Sequence, residues 1–229
     1  MRMKRTIALL LALMLAVGLM GCSKEEKNIS GQVTPVTEAL LEDKPVTLGR
    51  IEGGVYTNEY IGIGCTLDAD WTFDTAEELQ ELPGQIHEEL KDTEYSDAGL
   101  RQIADMFAEN TVDGSNINIQ YTKLNLQERM VFAAMDYEGF VDMILRESES
   151  MAAAYAQSGF ENVKMEKVIV NYLGQERGAI RTTATVMDVP LYMLQLFEHD
   201  LGQYYVVITV TAVAEDTVQS LTDLFYSLD

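Results

Sequence analysis

The stretch QYYVVITVTAVA, Gln203 to Ala214, limits the possible folds of this chain more than any other. β-Branched and aromatic residues fill it, the composition of a strand, and too few positions are polar for a strand at a sheet edge. It is therefore expected inside a sheet, with a hydrogen-bonded neighbour on either side.

The flanking sequence supplies such neighbours. Val163 to Leu173 and Gln175 to Met187 read as a hairpin turning at Leu173-Gly174-Gln175. Asp188-Val189-Pro190 turns into a strand running to about Glu198, and His199-Asp200-Leu201-Gly202 turns again. Upstream, Ile61, Ile63, Cys65 and Leu67 share one parity of a strand, opposite Gly62, Gly64 and Thr66. The bare glycine face predicts a helix lying close against it. Thr75 with Glu78 makes a capping box that opens a helix to about Leu82, and a second helical stretch follows Pro83-Gly84 to about Lys91. A strand is expected near Asp105 to Glu109, and another from Ser115. In the latter, Ile117, Ile119 and Tyr121 alternate with Asn116, Asn118 and Gln120, and the polar face is expected to be wet.

The clearest helix is Asp136 to Ser158, where Tyr137, Phe140, Val141, Ile144, Leu145, Met151, Ala152 and Tyr155 form one stripe. Gly159 should stop it and Phe160 fold back on its last turn. A terminal helix is expected to start at Glu215 and Asp216 and to carry Val218, Leu221, Leu224, Phe225 and Leu228. Strands joined by hairpins and separated by helices predict an α+β chain. Its expected architecture is an α/β/α sandwich, a central and mainly antiparallel sheet flanked by helices.

The N-terminus speaks to location rather than fold. Arg2, Lys4 and Arg5 precede an apolar run from Ile7 to Met20, shorter than the roughly 20 residues of a comfortable membrane span. The run ends in Leu19-Met20-Gly21-Cys22, which resembles a bacterial lipobox despite the unusual Met20. Residues 1–21 are thus expected to be a lipoprotein signal peptide cut after Gly21, with Cys22 lipidated; the alternative is an uncleaved anchor helix with a chance cysteine. Residues 22–54 are polar and carry Pro35, Pro45 and Gly53-Gly54, which predicts a lipidated N-terminus and flexible tether. Residues 55–229 then form a single domain.

Charge narrows the partners. The chain has 16 Lys and Arg against 37 Asp and Glu, a net charge of −21. Loss of the leader's three basic residues would leave it still more acidic. Such a chain is repelled by nucleic acid and by anionic lipid headgroups, so no nucleic-acid partner is expected and membrane attachment falls to acyl chains. With Cys22 acylated, Cys65 has no partner in the chain for a disulfide.

YTNEYIGIGCTLDADW, SGFENVKMEKVIVNYLGQERGAI and GQYYVVITVTAVAEDTVQSLTDLFYSL resemble the PsbP-like domain of bacterial lipoproteins, over roughly Tyr56 to Asp229. Tyr56, Asn58, Gly62 and Trp71 match the opening pattern of that family. Asp68 and Asp70 stand where its members carry proline and glycine. The resemblance implies an α/β/α sandwich and carries over no activity, because the motif describes a fold rather than a reaction.

Individual candidates point to little chemistry. Gly62-Ile63-Gly64 lacks a third glycine and lies within a strand, unlike a phosphate loop. Cys65 shares an apolar face and is read as buried. Asp68, Asp70 and Asp74 look like the start of a calcium loop, but Phe73 and Leu79 occupy the positions that need glycine and a bidentate acid. They are read as turn carboxylates, with cation binding left open. Trp71 is read as a packing anchor, with ligand stacking the alternative. Nothing ties His87 or His199 to a nucleophile or a metal, and no cofactor is expected. The expectation is a membrane-anchored extracytoplasmic lipoprotein whose domain is a non-catalytic interaction or accessory module for an unidentified protein partner. The alternative is a small-ligand-binding protein or an envelope enzyme whose site is assembled from distant residues.

Overall fold

The computed structural model describes residues 46–80 and 102–228. The signal peptide, Cys22, most of the tether and the second helical stretch with His87 lie outside the described residues. Eleven strands and five helices form among the described residues.

The strands make two antiparallel sheets. The smaller has the order β1-β2-β3-β11, comprising Arg50–Glu52, Val55–Asn58, Ile63–Thr66 and Phe225–Ser227. The first of these lies in the stretch read as a tether, and Gly53-Gly54 turns it into the second. The larger sheet has seven strands in the order β4-β5-β6-β10-β9-β8-β7. In chain order these are β4 Trp71–Phe73, β5 Gln102–Asn110, β6 Asn116–Lys123, β7 Glu161–Tyr172, β8 Gln175–Val186, β9 Val189–Leu201 and β10 Tyr204–Val213. The β-branched run thus occupies β10, paired with β6 on one side and β9 on the other.

The helices are α1 Ala76–Gln80, α2 Leu126–Ala133, α3 Tyr137–Arg146, α4 Ser148–Gln157 and α5 Val218–Thr222. The Thr75–Glu78 capping box forms: Thr75 N–H donates to Glu78 Oε2 at 2.9 Å and Glu78 N–H to Thr75 Oγ1 at 3.2 Å. The long apolar stripe forms two helices rather than one. Its buried residues stop at Ile144 and resume at Met151, so the polar stretch Glu147 to Ser150 has nothing holding it to the sheet. Gly159 takes φ +88°, and Phe160 packs on Tyr155 with ring centroids 5.4 Å apart.

The helix-flanked α/β/α sandwich expected from sequence is corrected by this architecture. Among the described residues strands make up 49% and helices 23%, and one face of the large sheet packs against a second sheet. The core between the sheets joins Tyr56, Ile63, Cys65 and Leu67 to Ile117, Ile119, Tyr121, Val206, Ile208 and Leu194. Burying side chains of this size contributes about 1.5–3 kcal/mol each. Two local causes explain the difference. The terminal helix ends at Thr222, because Phe225–Ser227 instead pairs with the free edge of β3, Phe225 opposite Cys65. The bare face at Gly64 admits the Tyr226 ring of that strand and not a helix: a Cβ there would lie 2.5 Å from the ring.

On its other face the large sheet carries α2, α3 and α4, through Phe132, Phe140, Ile144, Met151 and Tyr155 against Ile180, Met193, Phe197, Tyr205 and Val207. Among the described residues, no helix is long and apolar enough to cross a membrane.

A candidate binding site on the polar sheet face

Alternation places Asn116, Asn118 and Gln120 of β6 on the face opposite Ile117, Ile119 and Tyr121. The expectation that this face is wet is overturned. Asn116 is 0% exposed, and Asn118 and Gln120 are 2% exposed. The register explains their company. Asn118 lies beside Thr209 of β10, which lies beside Gln195 of β9; Asn116 lies beside Thr211 in the next row. Five uncharged polar side chains thus share adjoining positions across three neighbouring strands, about 4.8 Å from strand to strand. Thr182 of β8 is buried on the same face, beside Met193.

These groups are unsatisfied. Both side-chain polar atoms of Asn116 and of Asn118, Oε1 of Gln120 and Gln195, and Oγ1 of Thr182, Thr209 and Thr211 have no hydrogen-bond partner. A buried polar group without a partner costs about 1–3 kcal/mol, and natural cores contain few. Apolar groups flank the strip. Phe107 of β5 lies directly opposite Asn118 and packs with Leu79 of α1, while Met193 and Phe197 belong to the helix-covered cluster. The strip is packed closely enough that its orphaned atoms are not open even to a water molecule.

A second polar group contrasts with it. Asp105 sits at a bulge in β5, which turns it toward the small sheet together with Met106. Its Oδ2 accepts from Tyr56 Oη at 2.5 Å and Asn58 Nδ2 at 2.7 Å, and its Oδ1 from Gly49 N–H at 2.7 Å. Asn58 Nδ2 also donates to Tyr121 Oη at 2.8 Å. Burial pushes the Asp105 pKa up, against the lowering effect of these three donors. The Tyr56-x-Asn58 motif is therefore a lock joining the two sheets, with its bonds complete.

The remaining sequence candidates disperse. Cys65 is fully buried, and desolvation pushes its thiol up to about 12, so it is no nucleophile near neutral pH. Trp71 is half-buried against the core between the sheets, on the face away from the polar strip. Asp68 Oδ1 accepts from Asp70 N–H at 3.0 Å, and the Asp70 carbonyl accepts from Thr111 N–H at 2.8 Å, which is what turn residues do. Among the described residues, no three of His, Cys, Asp and Glu gather as a metal cluster. His199 lies in β9, which continues to Leu201, so the turn falls at Gly202-Gln203.

No known family model matches the chain, and no curated protein matches it significantly.

Proposed function

We propose that this chain is a lipid-anchored extracytoplasmic protein whose folded part is a non-catalytic binding module. The observation that carries the anchor is Leu19-Met20-Gly21-Cys22, closing a short apolar run behind three basic residues. The burial of Cys65 supports it: of the two cysteines, that one is sealed in the core, which leaves Cys22 as the candidate for acylation. Fractionation tests this reading. Wild type should sediment with membranes and its mature N-terminal peptide should carry acyl chains at Cys22, while Cys22→Ala should be released or remain an unprocessed precursor. A mature wild-type protein without lipid at Cys22 refutes the anchor.

Within this reading the module has two possible kinds of partner, another protein or a small molecule. The polar strip favours neither, because its amides and hydroxyls are closed off even from a water molecule.

A further inference from the structure

Four strands stand at the ends of the two sheets: β1 and β11 of the smaller, β4 and β7 of the larger. Three of them are three residues long, and shortness is one way a fold keeps a sheet edge from being used. β7 is twelve residues long, contains no proline, and among the described residues pairs with β8 alone.

The hairpin fixes which backbone groups of β7 point outward. Leu173-Gly174 is a two-residue turn, so Tyr172 and Gln175 close it as a hydrogen-bonded pair, and every second pair behind them does the same. Val170, Val168 and Glu166 therefore bond to β8, while the N–H and carbonyl groups of Asn171, Ile169, Lys167 and Met165 face away from it. Gln219 of α5 already uses one of these groups from outside, donating Nε2 to the Asn171 carbonyl at 3.0 Å. Ile169 is 60% exposed, an apolar side chain left at the rim. Lysines often guard an edge, but here they are engaged: Lys164 pairs with Glu166 at 2.8 Å, and Lys167 with Glu138 and Asp142 of α3 at 2.7 and 2.6 Å.

Charge selects the partner. The two lysines of β7 balance its two glutamates, and Arg177 and Arg181 of β8 are paired with Glu198 and Asp216. Glu138, Asp142, Glu176 and Asp223 add negative charge around the edge. Asp223 also lines, with Asn171, Leu173 and Tyr226, an open groove of about 290 Å³ beside the end of β7. A second copy of this chain would bring one net charge of −21 against another. We propose that β7 is a docking edge, at which an extended, lysine- or arginine-rich segment of a cationic protein adds as a further strand of the large sheet. This rests on the binding-module reading above and assigns the module a protein partner.

The test titrates a blocked decapeptide of alternating lysine and valine into the full-length lipidated protein in nanodiscs of zwitterionic phospholipid, read by calorimetry and amide hydrogen exchange. One control peptide carries N-methyl groups on its central residues, which keeps its charge and removes its strand donors. A glutamate–valine decapeptide is the charge control. Binding of the unmethylated lysine peptide alone is expected, with slowed exchange at Lys167 and Ile169. Ile169→Pro removes an outward N–H and spares the β7–β8 bonds, as edge strands tolerate, and should weaken binding about tenfold. Where its thermal melt shows unfolding, Ile169→Lys takes its place and should weaken binding by repulsion. No binding overturns the proposal, as does binding that the methylated or the glutamate peptide matches, or that the variant leaves unchanged. Dimerisation of the protein that Ile169→Pro abolishes also overturns it, making a second copy the occupant. When the peptide does not bind, cross-linking of the full-length protein in its own membranes separates the two readings. A protein adduct then leaves the binding module standing without β7, and no adduct overturns both. Neither result touches the Cys22 anchor.

Discussion

Replacing Thr209 with valine should make the ligand-free protein more stable. Thr209 is 2% exposed and its Oγ1 has no partner. Valine has nearly the same shape, so the substitution leaves little cavity or strain. Removing an unpaired buried hydroxyl recovers about 1–3 kcal/mol, and the methyl group in its place adds to that. For a protein of this size each kcal/mol raises the melting temperature by about 2–4 °C. The control is Thr222→Val. Thr222 is equally buried, at 1% exposed, but its Oγ1 donates to the Val218 carbonyl at 2.7 Å. The same substitution there breaks a bond and should cost about 1 kcal/mol. Urea denaturation of both variants reads the difference, with an unchanged slope showing that only stability has moved. If Thr209→Val loses stability as Thr222→Val does, then the Thr209 hydroxyl is satisfied, and the strip is an ordinary polar core.

Other substitutions probe the rest of the fold. Burial raises the Asp105 pKa, so its contribution to stability is full below the unfolded carboxylate pKa and is lost as pH rises through the folded value. The stability of wild type minus that of Asp105→Asn should therefore fall from about pH 4 upward, and denaturation across a pH series that shows the difference rising would refute this. Gly64→Val should destabilise by driving a side chain into the Tyr226 ring, and adding Tyr226→Ala should relieve part of the loss; a double-mutant cycle with simple additivity would show the two do not meet. Met187 and Asp188 turn the β8–β9 hairpin at φ +50° and +63°, a backbone that an asparagine–glycine pair adopts with less strain. Met187→Asn combined with Asp188→Gly should therefore raise the unfolding free energy by about 1 kcal/mol, read as a higher midpoint in thermal melts.

Hairpins and strands were legible because their signals are local. The turn falls at Leu173-Gly174, where the glycine suggests it, although Leu173 also takes left-handed backbone, and β10 pairs on both sides as its composition requires. Helix α2 carried a local signal too: Asn125 and Glu128 form a reciprocal cap, a pair visible in sequence but not recognised there. The terminal strand was misread for the opposite reason. A helical spacing of Leu221, Leu224 and Phe225 says nothing about the unpaired edge of β3, distant in sequence, which captures Phe225–Ser227.

The polar strip lies between these cases. Alternation in β6 correctly separated Asn116, Asn118 and Gln120 from their apolar neighbours, but it does not say which face meets water. Assigning polar residues to solvent is a default, and it fails because this face of the large sheet is covered as well. Thr209 and Thr211 share a parity of β10 with Tyr205, Val207 and Val213, the side that meets the helices, and pairing brings Asn118 and Asn116 in beside them. Local sequence and global fold conflict here and not in the Asp105 lock, where every acceptor is filled. Both sets of groups are buried, and only one is satisfied within the protein. A fold selected for stability alone would carry apolar side chains at Asn118 and Thr209, as it does at Ile117 and Ile208 on the opposite face. Retaining amides and hydroxyls there costs stability, so the strip, and not the conspicuous glycines and cysteine of β3, is where this fold departs furthest from a stability optimum.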